Sequence, residues 1–412
     1  MNETRLVLEN TGTYTNPADI AEYEAAGGYK ALQTALAMSP AEVVDVIKHS
    51  RLRGRGGAGF PTGLKWSYTL PLQEDKYILC NADEGEPGTF KDRIIMEGDP
   101  HKLLEGMVIA GYAVGARKGY MYVRGEYTRS LSFVKEAVFG AYLHDYLGEH
   151  IFGTDFSFDI TIQRGAGSYV CGEETALISS LEGKRGNPRI KPPYPGIQGL
   201  RKAPSVVQNV ETLATIPSII SRGAAWFTSL GTEESTGTKL YPVSGRVQYP
   251  GCYEFPMSVT LRELIFDAAG GILNSHHFKA ALVGGGAAGT FLGPQDLDVH
   301  MSFEGLSTLG GHLGSGAVIV LDETVSLREV LETIMEFFIH ESCGYCAPCR
   351  VGSVHILNML KELASLSPET VPLHYQKILH VAETMKKTCL CPLGQSPLLP
   401  LSTALRVEDH VS

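Results

Sequence analysis

The segment ESCGYCAPCRVG, residues 341–352, sets Cys343, Cys346 and Cys349 at C-x2-C-x2-C spacing. That spacing lets one short loop deliver three thiolates to the same face of a [4Fe-4S] cluster, three of its four ligands. A wholly local site of the bacterial-ferredoxin kind needs a cysteine four residues after Cys349, and that position is Ser353. The fourth ligand must come from a distant segment, and KKTCLCPLG offers Cys389 and Cys391. A tetrahedral zinc site made from Cys343, Cys346 and the later pair is the rival, and it leaves Cys349 without a role. Cys80, Cys171 and Cys252 are scattered and read as small buried hydrophobes.

The cysteine run lies between helical patterns. TVSLREVLETIMEFFIHES opens with a capping box from Ser326 to Glu329 and repeats apolar residues at Leu327, Val330, Leu331, Ile334, Met335 and Phe338. VGSVHILNMLKELASL and PLHYQKILHVAETMKK continue the pattern, so residues 324–412 read as a small helical bundle. Residues 239–323 read as a strand-rich unit: KLYPVSGRVQYPGCYEF as a hairpin, TLRELIFDAAGG as a short helix, KAALVGG and GAVIVLD as strands. Residues 1–238 alternate helical patterns with the apolar runs KYILCNA, KGYMYVRGE and SFDITIQRG, as an α/β sheet does.

A chain of 412 residues with a net charge of −10 and no basic tract is a poor partner for nucleic acid or an anionic membrane. It has no apolar run of membrane-spanning length and no signal-like N-terminus, so we expect a cytoplasmic protein with reduced or metal-bound cysteines and no direct membrane insertion. Forty-six glycines, concentrated before residue 320, suggest a cavity lined by backbone. Motifs such as H-E-x-x-H, G-x-S-x-G and Walker A are absent from the sequence.

GRGGAGFPTGLKW, residues 54–66, contains G-x-G-x-x-G at Gly54, Gly56 and Gly59. The stretch before it, SPAEVVDVIKHSRLR, has helical rather than strand spacing, and Pro61 argues against an immediate long helix. This is not the strand-to-helix setting of a Rossmann fingerprint. The loop still permits close approach to a ligand, which Arg55 and Lys65 would make anionic; a plain structural turn is the other reading. NADEGEPGTFKDR places Asn81, Asp83, Glu84 and Glu86 at the carboxyl end of a strand, where α/β sheets bind ligands, or in a solvated acidic turn. GSYVCGEETALISSLEG reads as a strand, a glycine turn and a helix with Glu173 and Glu174 in its first turn. Those carboxylates either complement the helix dipole, worth ~0.3–1 kcal/mol, or exclude a 2′-phosphate and so favour NADH over NADPH.

With the glycine loop, the acidic turn, CGEETALISSLEG and the three-cysteine loop in this order, the chain from about residue 20 to 405 resembles the NADH- and FMN-binding flavoprotein subunit of respiratory complex I. The same core serves as the diaphorase subunit of NAD-linked hydrogenases and formate dehydrogenases. The resemblance implies an α/β fold: a non-classical FMN- and NADH-binding α/β domain, then a ubiquitin-like β-grasp domain, then a helical bundle carrying a [4Fe-4S] cluster. Gly54, Arg55, Gly56, Gly57 and Lys65 fall where the family binds FMN and dinucleotide, so the G-x-G-x-x-G spelling is a coincidence. Asn81, Asp83 and Glu84 match the flavin-contacting turn, and Glu86 matches a carboxylate near the nicotinamide that positions rather than moves a proton. Tyr169, Gly172, Glu173 and Glu174 match the segment lining the flavin and the NADH ribose; Phe60 and Tyr68 fall where aromatics flank the nucleotide; Lys191 and Tyr194 match its adenosine end. Gln208 stands where an Asn is common before Asn209, and Tyr194 where a Phe is common. Cys391 aligns as the fourth cluster ligand, with Cys389 as an extra thiol.

The function implied is hydride transfer from NADH to FMN and single-electron transfer to the cluster, in complex I or in a hydrogenase or formate dehydrogenase assembly. A non-redox zinc scaffold is the minor alternative. Expected partners are a thioredoxin-like [2Fe-2S] subunit and a larger multi-cluster iron–sulfur subunit, in a complex peripheral to the inner membrane.

Overall fold

The computed structural model describes residues 3–287 and 289–407. Its first sheet has four strands, β1 (Tyr77–Ala82), β2 (Lys118–Val123), β3 (Asp159–Arg164) and β4 (Ser205–Asn209), in the order β3-β2-β1-β4 and all parallel. Parallel neighbours need crossover connections, and the chain supplies them as helices. Four helices precede β1, the last two being α1 (Pro40–His49) and α2 (Thr62–Thr69). α3 (Lys91–Gly98) and α4 (Pro100–Val114) join β1 to β2, α5 (Thr128–Leu143) joins β2 to β3, α6 (Glu174–Leu181) joins β3 to β4, and α7 (Val210–Arg222) follows β4. α4 is buried on almost every face, as expected of a helix apolar all round. At Gly106 a Cβ would stand 2.0 Å from the Leu213 carbonyl oxygen, so glycine lets α4 and α7 cross backbone to backbone.

The second sheet comprises β5 (Thr238–Gly245), β6 (Gly251–Pro256), β7 (Phe278–Val283), β8 (Thr290–Leu292) and β9 (Val318–Asp322), in the order β6-β5-β9-β7-β8. β5 and β9 run parallel and the other pairs antiparallel. The segment expected to be a short helix forms a π-helical turn at Glu263–Ala268, and α8 (Phe303–Thr308) lies between β8 and β9. The chain then runs through α9 (Leu327–Glu341), α10 (Ala347–Glu362) and α11 (Val371–Thr388), with Leu327, Leu331, Ile334, Met335 and Phe338 forming the buried stripe of α9.

Three local expectations need correction. The segment GSYVC is a 3-10 turn at Tyr169–Gly172, not a strand: the Tyr169 N–H donates to the Glu341 carboxylate, and those of Cys171 and Glu173 close local turns. The reading at Pro61 stands: it is the N-cap of α2, a helix of only eight residues rather than a long one. The expected capping box at Ser326 is half formed: its hydroxyl accepts from the Glu329 N–H, and no return bond from the Glu329 side chain joins it. The cysteine loop is shorter than expected, because Cys346 is the N-cap of α10 and Cys349 falls in its first turn, with Pro348 among the opening residues where proline suits a helix start.

A buried charge network ties the two sheets together. Glu211, at the start of α7, pairs with Lys91 at 3.0 Å and Lys239 at 3.2 Å and accepts from the Leu240 N–H at 2.9 Å, while Lys91 also pairs with Asp92 at 2.8 Å. Removing one member of a buried pair strands the opposite charges in low dielectric. Glu211→Ala is therefore expected to cost about 3–5 kcal/mol in denaturant unfolding. A loss below ~1 kcal/mol would mean that the two lysines are hydrated rather than held.

Candidate functional site

The order of the first sheet fixes where a ligand can bind. β1 has β2 on one side and β4 on the other, and α/β sheets bind ligands in the crevice at the carboxyl ends of strands where the order reverses. There the register sets Cys80 opposite Gln208 and Asn81 opposite Asn209. An open cavity of about 1810 Å³ occupies the crevice. Every nucleotide-site residue singled out from the sequence lines it except Arg55.

The glycine loop forms one wall. Its ends are held by the Arg53–Pro61 bridge and by the Gly54 N–H donating to the Phe60 carbonyl at 2.9 Å. At Gly56 a Cβ would fall 2.9 Å from Asn209 Cβ, so only glycine lets the loop lie against the end of β4. Arg55 turns the other way: it is fully buried, its Nη2 donates to the Thr236 carbonyl at 2.7 Å and its backbone N–H to Thr212 Oγ1 at 2.8 Å. Burial holds its guanidinium below the usual arginine range, against the pull of Glu211. Lys65 reaches the cavity and donates to the Val207 carbonyl at 3.0 Å; burial lowers its pKa, opposed by Glu174.

The acidic turn forms the floor. Asn81 donates to the Gly172 carbonyl at 2.8 Å and accepts from the Asp83 N–H at 3.1 Å. Asp83 Oδ2 is buried without a hydrogen-bond partner. Glu84 caps α3, accepting from the Asp92 N–H at 2.8 Å and the Arg93 N–H at 3.1 Å, and also from the Tyr127 hydroxyl at 3.0 Å. Burial, then the nearby Asp92 charge, pushes its carboxyl up to about 7. Glu86 accepts from the Tyr169 hydroxyl at 2.5 Å and from the Ala287 N–H at 2.7 Å. Asn209 caps α7, accepts from Lys91 at 3.0 Å and donates to Asp92 at 2.7 Å, while Gln208 Nε2 is buried without a partner.

Across the cavity, Glu173 is the N-cap of α6 rather than part of its first turn, and its carboxylate accepts from the Thr175 and Ala176 N–H groups at 2.9 and 3.0 Å. Helix capping thus accounts for Glu173. Glu174 faces Lys191, whose ammonium lies 2.6 Å from Glu174 and 2.8 Å from Glu173. Phe60, Tyr68 and Tyr194 are large exposed aromatics on the cavity rim.

Sequence reasoning missed the walls supplied by the rest of the chain. Arg53, whose guanidinium lies 4.1 Å from the centre of the Phe303 ring, lines the cavity together with Phe303, Glu304, His312, Ser315 and, from the C-terminal segment, Lys386, Gln395 and Ser402. The glycine-rich run LGGHLGSG was the only local signal for any of them.

The cysteines gather beside the cavity, which Pro392 and Leu393 line. Cys349, Cys389 and Cys391 are buried, and Cys343 and Cys346 half-buried. Cys349 Cβ and Cys389 Sγ converge on Gly394, 3.1 and 2.7 Å from where its Cβ would stand. The Cys349 thiol is pulled down to about 6 by Cys389 first, against burial, with Ser342, Ser353 and Cys346 adding to the pull. The Cys391 thiol is pushed up to about 11 by burial, opposed by the Gly394 and Leu393 N–H groups that point at its sulfur.

Residues 47–218 match the Nuo51 FMN-binding domain, residues 240–289 the SLBB domain, and residues 329–408 the NADH-ubiquinone oxidoreductase-F iron-sulfur binding region. That last match assigns the cysteine segment to iron–sulfur chemistry rather than zinc. The chain is 46% identical over 389 residues to an NADH-quinone oxidoreductase subunit of Rhizobium meliloti (strain 1021), covering 94% of this chain and 92% of that protein. It is 45% identical over 415 residues to the HndC subunit of the NADP-reducing hydrogenase of Solidesulfovibrio fructosivorans, covering 99% and 84% respectively. In a crystal structure of NAD+-reducing [NiFe]-hydrogenase in the H2-reduced state, a chain 35% identical superposes with a TM-score of 0.83; the match covers 98% of this chain and 65% of that one. A glycine loop and an acidic turn inside the FMN-binding match, and the cysteine run inside the iron–sulfur match, together establish that this chain belongs to the family of FMN-binding NADH-quinone oxidoreductase subunits and their hydrogenase counterparts.

Proposed function

We propose that the chain is the NADH-oxidising, electron-input subunit of a larger redox assembly, working through a cavity for FMN and NADH and a [4Fe-4S] site at Cys343, Cys346, Cys349 and Cys391. The observation that carries this reading is a cavity with an unpaired acceptor, Asp83 Oδ2, and an unpaired donor, Gln208 Nε2, on its floor, reaching Leu393 beside the cysteines. A heterocycle that both donates and accepts at its edge satisfies these two groups. Bound FMN would supply the conversion of a two-electron hydride into single electrons.

In this reading Gly54, Gly56, Gly57 and Lys65 cradle the flavin and dinucleotide, with backbone approach where side chains are absent. Asn81, Asp83, Gln208 and Asn209 orient the ring. Glu84 acts indirectly by holding the acidic turn against α3, and Arg55 by fixing the back of the glycine loop. Glu86 and Tyr169 position the nicotinamide beside Gly172, without exchanging a proton. Phe60, Tyr68 and Tyr194 offer ring faces to the bases, and Lys191 with Glu174 meets the ribose end.

The units are read as 1–238 for FMN and NADH, 239–323 as a ubiquitin-like β-grasp domain, and 324–412 as a helical bundle; the mixed second sheet and the three successive helices support this. The mixture of complex I and hydrogenase relatives supports either assembly, a quinone reductase peripheral to the inner membrane or a soluble hydrogenase. The adjoining partners would be a thioredoxin-like [2Fe-2S] subunit and a multi-cluster iron–sulfur subunit. Among the described residues no helix is long and apolar enough to cross a membrane. Mass spectrometry of the native complex purified through this chain decides between them: membrane subunits identify the first, a hydrogenase or formate dehydrogenase catalytic subunit the second.

Two substitutions test the site. Glu174 sets a carboxylate beside Lys191 and Lys65 where a 2′-phosphate would meet like charge; Glu174→Ala should raise kcat/KM for NADPH relative to NADH by about tenfold, since like-charge juxtaposition costs on the order of 1 kcal/mol or more. Unchanged selectivity rejects the exclusion. Burial pushes the Asp83 carboxyl up to about 7, with Arg124 opposing. A carboxyl raised in the fold keeps a proton that the unfolded chain releases near pH ~4, so its contribution to stability falls as pH rises from about 4 to about 7. In the flavin-free chain, Asp83→Asn should gain Tm over wild type at about pH 8 and little at about pH 4. An equal gain at both refutes the burial of that charge.

A further inference from the structure

Two serine hydroxyls surround the most enclosed cysteine of the C-x2-C-x2-C run. Ser342 Oγ stands 3.3 Å from Cys349 Sγ, and the same oxygen accepts the Gly344 N–H at 3.2 Å. A hydroxyl oxygen already accepting an N–H is oriented to give its own proton away, here toward the sulfur. Ser353 stands four residues after Cys349 on α10, so the two side chains share a helix face. Its hydroxyl is 1% exposed and, apart from the pull it exerts on the Cys349 thiol, has no hydrogen-bond partner. A serine inside a helix can return its hydroxyl to the carbonyl four residues earlier, which would be that of Cys349. Ser353 does not do so. A buried hydroxyl left unpaired is costly, and a sulfur acceptor on the Cys349 side is the group that would relieve it.

We propose that Ser342 and Ser353 donate hydrogen bonds to the sulfur shell on the Cys349 side of the [4Fe-4S] cluster and hold its reduction potential up. The inference rests on the reading of Cys343, Cys346 and Cys349 as cluster ligands. Each one-electron reduction, with the electron coming from NADH through the flavin, adds one negative charge to the cluster. Donors aimed at the sulfurs disperse that charge and favour the reduced state, and hydrogen bonding to sulfur is among the determinants of cluster potential. Hydroxyls do this without titrating near neutral pH, so the pull they exert does not vary there.

The test is a redox titration followed by electron paramagnetic resonance on the purified native complex, comparing wild type with Ser342→Ala, Ser353→Ala, the double variant and Ser353→Thr. Each alanine variant should make cluster reduction about three- to tenfold less favourable, a negative midpoint shift of ~30–60 mV at 59 mV per decade for one electron. The double variant should shift further, Ser353→Thr should stay near wild type, and iron content and the [4Fe-4S] signal should persist. If one alanine variant loses iron, the other carries the comparison. Unchanged midpoints with the cluster intact overturn the proposal and leave the cluster reading standing. A wild-type chain with no [4Fe-4S] signal overturns both.

Discussion

The reversal of strand order at β1 is the constraint on which the rest of the molecule depends. Because β4 pairs with β1 on the side opposite β2, the ends of β1 and β4 open into one crevice, and their in-register pairing brings Asn81 beside Asn209. Asn209 then does three things at once: it caps α7, holds Lys91 and Asp92, and packs against Gly56. The floor of the cavity is thus joined to a helix start, a buried ion pair and the glycine loop through one side chain. Glu211, two residues further on, extends that connection to the second sheet through Lys239 and Leu240. A ligand site assembled from strand ends and helix caps is held by rigid elements, which suits a reaction whose catalysis lies in orientation.

The other walls meet the crevice through Tyr169. Its hydroxyl binds Glu86 on the floor, its N–H binds Glu341 at the end of α9, and its ring stands edge-on to Phe337, 5.0 Å between centroids. Glu86 in turn accepts from Ala287, between β7 and β8. One residue therefore touches the acidic turn and the helix that leads into the cysteine loop. In the proposed reading, nicotinamide positioning and cluster placement share this joint, and the link between them is one of packing rather than of any chemical step by the side chains.

Most of the fold was legible because its strands are strongly apolar and its helices periodic. KYILCNA, KGYMYVRGE and SFDITIQRG became β1, β2 and β3, and the hairpin from Lys239 became β5 and β6. β4 escaped because SVVQN is five residues long and takes its strand character from pairing with β1. GSYVC misled because Val170 and its neighbours look strand-like while the backbone bonds to Glu341 and to its own turns, a tertiary choice that local sequence does not carry. The glycine loop differs from a Rossmann fingerprint as its sequence setting implied, since it precedes β1 instead of following it, even though the order β3-β2-β1-β4 is that of the first four strands of the classical doubly wound sheet. The site was legible where motifs are local. Arg55 was read as a ligand contact because a cation in a glycine loop suggests one; only the fold reveals that it faces Thr236. Phe303 and Lys386 reach the cavity from segments with no motif of their own.

The most direct test of this electron path is the anaerobic absorption and electron paramagnetic resonance spectrum of the purified chain before and after NADH. Flavin absorption should bleach on NADH addition together with a new signal from a reduced [4Fe-4S] cluster, both from one polypeptide. A colourless protein, or flavin that bleaches without any cluster signal while iron is present, would contradict the joining of the two sites through Tyr169.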